Sequence, residues 1–277
     1  MPELPEVETF ARTLAGRVTG RRVSSCRLIF APLLKSGTTR ALENLRGRRI
    51  ERLGRRGKYL LFHCQGGLTL VFHLKMTGRF RFVPKGEKAD KHTRLVLSFR
   101  GPTCDVHFSD VRKFGCLYAV PTDDLDALPA LAGLGPEPLD LKLEEFRALI
   151  RGRKGRLKSL LLNQCFVAGI GNIYADEILF RSRLHPLKST ATLKPDEVRR
   201  LWLSMKAVLK RAIERGGSSI RDYVDSEGRP GRFQQSHRVY GRKSLPCFRC
   251  GRPIERRVIG GRSSFYCPSC QPAPRPN

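Results

Sequence analysis

The chain has 277 residues, 40% of them hydrophobic, and carries 53 Lys and Arg against 25 Asp and Glu, a formal net charge of +28. That length and apolar content exclude a disordered polyelectrolyte, and no run of 18 apolar residues is present to span a membrane. The cations are dispersed in short runs such as RGRKGR at 151–156. A basic surface on a folded body is therefore expected, with nucleic acid as the partner, because releasing counterions from phosphates is what such a surface does well.

The opening MPELPEVE places two prolines and three carboxylates in eight residues. It is unlike the basic, then apolar, start of a secretory signal, which points to the cytoplasm. Pro5 at a first helical position, with Glu6 and Glu8 in the first turn, suits the positive end of a helix dipole. Val7, Phe10, Ala11, Leu14 and Val18 then recur at helical spacing and predict an amphipathic helix. From about Val23 to Val120, the runs RRVSSCRLIF, KYLLFHC, LTLVFHL, RLVLSF, CDVHF and CLYAV predict an all-β sandwich or barrel, with Gln65-Gly66-Gly67 as a hairpin turn.

The period changes after GLGPEPLD at 133–140. LEEFRALI, LKSLLLNQ, GNIYADEILF and DEVRRLWLSMKAVLKRAIERG predict helices, the last opened by Pro195-Asp196-Glu197 and closed by Gly216-Gly217. Between two of them, VAGIGNIY lacks the third glycine and the preceding strand of a dinucleotide fold. It reads instead as the glycine-rich turn of a helix-turn-helix variant, with Asn172 at a helix start able to grip a phosphate; a merely tight turn is the alternative. SSIRDYVDSEGRPGRFQQ predicts a mobile loop, and QPAPRPN a disordered tail.

Of nine cysteines, Cys26, Cys64, Cys104, Cys116 and Cys165 stand singly among apolar residues and read as buried thiols in a reducing compartment. The other four form two C-x-x-C pairs, Cys247 with Cys250 and Cys267 with Cys270, sixteen residues apart. This spacing predicts one structural zinc on four sulfurs, with no open coordination position and hence no direct part in catalysis. The intervening RPIERRVIGGRSSFY predicts a β-hairpin turning at Gly260-Gly261, with Arg262 near its tip facing a phosphate.

Taken together, MPELPEVE, HLKMTGRF, DVRKFG, GIGNIYADEILF and the four-cysteine finger resemble the formamidopyrimidine-DNA glycosylase family, in order and over essentially the full length. The resemblance implies an N-terminal antiparallel β-sandwich with an N-terminal helix (1–135), a helix-two-turn-helix domain (136–236) and a zinc finger (237–277). It implies a monomer acting on double-stranded DNA. Such an enzyme excises oxidised purines, 8-oxoguanine and formamidopyrimidines, and then nicks the abasic site by β,δ-elimination. By the same resemblance, Pro2 is the nucleophile once Met1 is removed, Glu3 the acid that stabilises the opening sugar, Glu6 its support, and Lys58 a basic residue beside the lesion. His73, Lys158, Asn172 and Arg262 are implied at the phosphates. Met76, Arg112 and Phe114 fill the gap left by the extruded base, which the loop of Ser218, Ser219, Ile220, Arg221, Asp222 and Tyr223 covers.

Elementary chemistry supports the implied terminus. A free α-amine titrates at about 8, against about 10.4 for lysine, so a useful fraction is neutral at pH 7. Its attack on the sugar C1′ leaves an iminium, an electron sink for expelling phosphates. The base must first leave the stack, which requires wedges; singly, Met76 and Phe114 would also suit a sandwich core, and His73 a sheet interior. Asn163 and Ser264 depart from the family pattern as we read it, where an acidic residue and threonine are usual. Two rival readings are an endonuclease VIII type glycosylase for oxidised pyrimidines and a non-enzymatic zinc-finger DNA-binding protein. The second gives no reason for Pro2 and Glu3.

Overall fold

A computed structural model describes residues 1–101, 104–220 and 223–274. The expectations for Arg221, Asp222 and the last residues of the tail lie outside the described residues. Two compact units are present: Met1–Ala132 with Arg215–Arg232, and Gly133–Glu214 with the chain from Phe233 onward.

The first unit opens with α1 (Leu4–Val18), in which Val7, Phe10, Leu14 and Val18 are fully buried, as their helical spacing predicts. There follow β1 (Val23–Leu28), β2 (Leu34–Ser36), α2 (Thr39–Glu43), β3 (Ile50–Arg56), β4 (Tyr59–Cys64), β5 (Leu68–His73), β6 (Arg79–Val83), β7 (Thr93–Phe99), β8 (Asp105–Ser109), β9 (Cys116–Pro121) and α3 (Pro129–Ala132). Two sheets form, ordered β2-β9-β5-β4-β3 and β1-β7-β8-β6. Pairing is antiparallel except where β2 lies parallel to β9. One apolar core joins them, centred on Phe62, Phe72, Phe80 and Phe108, whose neighbouring rings lie 5.0–5.5 Å apart. α1 packs into the same core, its Phe10 ring 6.3 Å from Phe80. The turn at Gly66 and Gly67 takes positive φ at both residues and closes the β4–β5 hairpin.

The segment expected to be a mobile loop has no regular element over 218–220 and 223–232, yet it is anchored. Tyr223 packs edge-on to Phe10 at 5.6 Å, and Ser226 Oγ donates to Thr13 Oγ1 at 2.7 Å.

In the second unit α4 (Leu143–Ile150), α5 (Leu157–Leu162), α6 (Asn172–Ser182) and α7 (Pro195–Glu214) surround one core, and β10 (Glu255–Ile259) pairs with β11 (Arg262–Tyr266) in a finger. The α5–α6 turn is stapled by Gln164: its Nε2 donates to Leu162 O and Ile170 O at 2.9 and 2.8 Å, and its Oε1 accepts from Gly169 N at 3.0 Å. Gly169, at φ +87°, supplies the left-handed step this closure needs. α7 buries Val198, Leu201, Met205, Val208, Leu209 and Ala212, one continuous stripe.

Not all the isolated cysteines are buried: Cys64 and Cys116 are, Cys26 and Cys104 are half-buried, and Cys165 is exposed in the α5–α6 turn. Among the described residues no helix is long and apolar enough to cross a membrane.

Candidate functional site

Pro2 is half-buried immediately before α1, and Glu3 is its N-cap, 4% exposed. The buried carboxylate of Glu6 holds this start in place. Its Oε2 accepts the Glu3 N–H at 2.8 Å, and its Oε1 accepts the Ser218 N–H at 2.7 Å. Tyr223 Oη donates to the Glu6 carbonyl at 3.3 Å, and burial beside the Glu6 carboxylate pushes its phenol up. One side chain thus ties the proposed nucleophile's neighbour to the loop expected to cover the base. Gly217, at φ +79°, is the only residue type that fits beneath it, since a Cβ would fall 2.6 Å from Glu6 Oε1.

The β3–β4 turn carries Lys58, which is buried. Arg55 fastens that turn to α1: Nε pairs with Glu8 Oε2 at 2.9 Å and Nη1 donates to Gly57 O at 3.2 Å. Glu8, read from sequence as helix-start chemistry alone, is therefore also a strut. Burial raises its pKa, but hydrogen bonds from Arg55 and Arg12 outweigh this and hold the carboxyl low. His73 ends β5 with its ring buried, 4.6 Å from and edge-on to Tyr59. Its Nδ1 accepts from Lys75 N at 2.9 Å, so the neutral ring carries its proton on Nε2. Burial, with Lys75 and Lys58 adding repulsion, depresses its pKa to about 3.

Met76 and Phe114 are 45% and 53% exposed, not core residues. Arg112 joins them, with Nη1 3.0 Å from Met76 Sδ and the guanidinium 4.7 Å over the Phe114 ring. The two loops that present this trio are held by a residue the sequence reading missed. Buried Asp110 accepts from Gly115 N at 2.7 Å, from Arg112 N at 3.2 Å and from the Thr77 hydroxyl. Asp110 follows a strand directly and precedes a glycine-bearing turn, the usual context for a carboxylate that organises backbone amides.

In the second unit, Lys158, Asn172 and Arg262 are brought together at the finger. Lys158 is fully buried; its Nζ pairs with Asp176 Oδ1 at 2.7 Å and donates to Ser263 O at 2.9 Å. Asn172 Nδ2 donates to the same carbonyl at 2.9 Å, and Asp176 Oδ2 accepts from Phe265 N at 2.9 Å. Burial raises the Asp176 pKa to about 7 despite the pull of Lys158. Arg262, beside Ser263, is exposed next to the Gly260-Gly261 turn, where both residues have positive φ. Glu177, also missed, accepts the N–H groups of Arg238, Val239 and Tyr240 at 2.9–3.0 Å and fastens the chain entering the finger to α6.

The Sγ atoms of Cys247, Cys250, Cys267 and Cys270 all lie within 4.8 Å of one another, two pairs at 3.9 and 3.4 Å. A tetrahedral zinc with Zn–S of about 2.3 Å requires S–S near about 3.8 Å, so the donor set fits.

A β-sandwich entered by a pinned helix start, and a helical unit whose glycine turn is bonded to a four-cysteine finger, define a multidomain nucleic-acid enzyme architecture with matches along the chain. Residues 1–117 match the formamidopyrimidine-DNA glycosylase N-terminal domain, 134–224 the formamidopyrimidine-DNA glycosylase H2TH domain, and 244–273 the zinc finger found in FPG and IleRS. A formamidopyrimidine-DNA glycosylase of Thermus thermophilus is 46% identical over 98% of this chain and 98% of its own length. That of Pelotomaculum thermopropionicum is 42% identical over 98% and 99%. A mutant FPG of Lactococcus lactis, solved in complex with a Fapy-dG containing DNA, superposes with a TM-score of 0.92 at 35% identity, covering 98% of this chain and all of that one. The chain belongs to the formamidopyrimidine-DNA glycosylase family.

Proposed function

We propose that the protein is a base-excision repair DNA glycosylase and abasic-site lyase that removes oxidised purines, 8-oxoguanine and formamidopyrimidines, from double-stranded DNA. The observation that carries this reading is the Glu6 carboxylate, which fixes Glu3 N and Ser218 N at 2.8 and 2.7 Å. That tie supports a reading in which Pro2, once Met1 is removed, offers a secondary amine next to an acid and a base-covering loop. A DNA-binding module has no use for that arrangement.

Met76, Arg112 and Phe114 enter the duplex where the damaged nucleotide leaves it, Phe114 wedging and Arg112 bonding the orphaned base. Residues 218–223 cover the extruded purine. The neutral Pro2 nitrogen attacks C1′, the base departs with a proton, and Glu3 protonates the ring oxygen, leaving an open sugar joined to Pro2 as an iminium. Solvent takes the C2′ proton, the C–H electron pair flows into that sink and then breaks the C3′–O bond to expel the 3′ phosphate, and a second elimination, with loss of the C4′ proton, expels the 5′ phosphate. Lys58, buried in the β3–β4 turn, sits by the lesion, and His73 offers Nε2–H to a phosphate. Asn172 and Arg262 take further phosphates, while Lys158, its ammonium engaged within the protein, acts by positioning Ser263. Zinc on the four cysteines supplies folding free energy to the finger and no step of the reaction.

Residues 1–135 form the catalytic part, 136–236 the DNA-gripping part with its loop, and 237–277 the finger; the protein acts as a cytoplasmic, nucleoid-associated monomer. The test is product analysis on a duplex carrying 8-oxoguanine opposite cytosine, against one carrying an oxidised pyrimidine. Release of 8-oxoguanine with phosphate left on both new ends supports the proposal; excision confined to the pyrimidine would move the protein to the endonuclease VIII reading.

A further inference from the structure

Within the second unit a cavity of about 340 Å³ opens between the last turns of α6, the C-terminal half of α7, the 3-10 turn Phe233–Ser236 and the first cysteine knuckle. Its lining has no part in the chemistry above. The buried side chains of Phe180, Val208 and Phe233 contribute apolar walls. Around them stand Arg181, Arg211, Arg238 and Arg249, all exposed, and among the described residues none of these four forms an ion pair.

The one acid in the lining, Glu177, is spent on three backbone N–H groups. Two of the four guanidiniums are ordered on aromatic rings: Arg249 lies 4.7 Å over Phe180, and Arg238 lies 5.1 Å over Phe248, a ring 64% exposed on the knuckle that also carries Arg242 at 3.6 Å. Against these four positive charges the lining sets the single Glu177 carboxylate, which attracts Arg238, so the rim keeps a net positive charge that favours a further anion. The chemistry of that anion can be narrowed. A nucleobase finds ring faces already covered by guanidiniums, and, among the described residues of the lining, Ser236 as the only uncommitted side-chain acceptor for its N–H groups. A phosphodiester satisfies the rim but has nothing to place against Phe180, Val208 and Phe233. A carboxylate-bearing segment with an apolar side chain satisfies both, through bidentate Arg–carboxylate pairs over a buried anchor.

We infer that this cavity is a docking site for the acidic, apolar-tipped end of a partner polypeptide. The arginines take its carboxylates and the cavity takes its terminal apolar side chain.

The experiment is fluorescence anisotropy of the zinc-loaded full chain with a fluorescein-labelled Asp-Asp-Glu-Asp-Leu-Phe peptide ending in a free carboxylate. A saturable rise is expected, weakened about tenfold or more by Arg211→Glu and by Arg181→Glu. Replacing Leu-Phe with Gly-Gly should abolish it. Both variants should keep wild-type zinc content, circular dichroism and base excision, which separates loss of docking from loss of fold. A duplex containing an abasic site should leave peptide binding intact. Equal binding of the Gly-Gly peptide, no effect of either charge reversal, or displacement of the peptide by DNA would each overturn the inference, the last by making the arginines a DNA surface.

Discussion

Asp110 offers the sharpest perturbation, because it orders the two loops that carry Met76, Arg112 and Phe114 while itself facing no reacting atom. Asp110→Asn keeps the volume and removes one acceptor. If the amide oxygen stays with Thr77 and Arg112, Nδ2 confronts the Gly115 N–H, which now sits 2.7 Å from Oδ2, donor against donor. Losing a charge-assisted bond and stranding a buried N–H costs about 2–3 kcal/mol. Gly115 has little room to rebuild around the loss, since even a Cβ placed on it would fall 3.0 Å from Phe108 Cζ. For a unit of this size that is a melting temperature lower by about 5–10 °C. Excision of 8-oxoguanine from duplex DNA, which needs the wedge, should fall about tenfold or more, whereas incision of a preformed abasic site should fall less. Thermal melting together with single-turnover kinetics on the two substrates checks this. A variant within about 0.5 kcal/mol of wild type, with both rates unchanged, would refute the view that Asp110 organises the wedge.

Replacing Lys158 by Met strands Asp176 in the interior and should cost about 3–5 kcal/mol, largely recovered in Lys158→Met with Asp176→Leu; urea denaturation of the single and double variants decides, and additive losses would contradict the pair. His73 is neutral in the fold with a pKa of about 3, below the unfolded value of about 6.5, so its contribution is intact above pH 6.5 and lost as pH falls toward 3. Between pH 7.5 and 5 the stability advantage of wild type over His73→Gln should shrink by about 2 kcal/mol, and a pH-independent difference would refute the assignment. Zinc should analyse at one per chain, and chelation strong enough to remove it should abolish DNA binding while leaving the β-sandwich melting transition; unchanged affinity without zinc would remove the finger from the interface. With a net charge of +28, log Kd should rise steeply and linearly with log salt, and a flat slope would remove phosphate contacts from the account.

The parts of this molecule with a short-range period were open to reading. The apolar face of α1 and the hairpin at Gly66-Gly67 need only residues a few positions apart, and the sulfur quartet shows as two C-x-x-C pairs with sixteen residues between them. β3 escaped because IERLGRR carries four charges on an edge strand, where one sheet neighbour suffices and polarity is tolerated. The anchoring of Ser218 and Tyr223 was equally hidden, because the group that fixes Ser218 is Glu6, 212 positions away. Asp176 and Glu177 lie in the predicted helix GNIYADEILF without any local mark of their role, yet each is a buried clasp to a segment 61–89 residues further on. Lys158, implied at a phosphate, is a buried strut. A basic composition announces phosphates without saying which cations are kept for the protein itself.

The central claim is tested most directly by reducing the enzyme with borohydride on duplex DNA containing 8-oxoguanine, then mapping the cross-linked peptide by mass spectrometry. The account requires the sugar fragment on the nitrogen of Pro2 in protein lacking Met1, and no adduct from Pro2→Gly extended by a retained methionine. An adduct mapped to Lys58 or another lysine, or none at all from a protein that still binds the duplex, would contradict it.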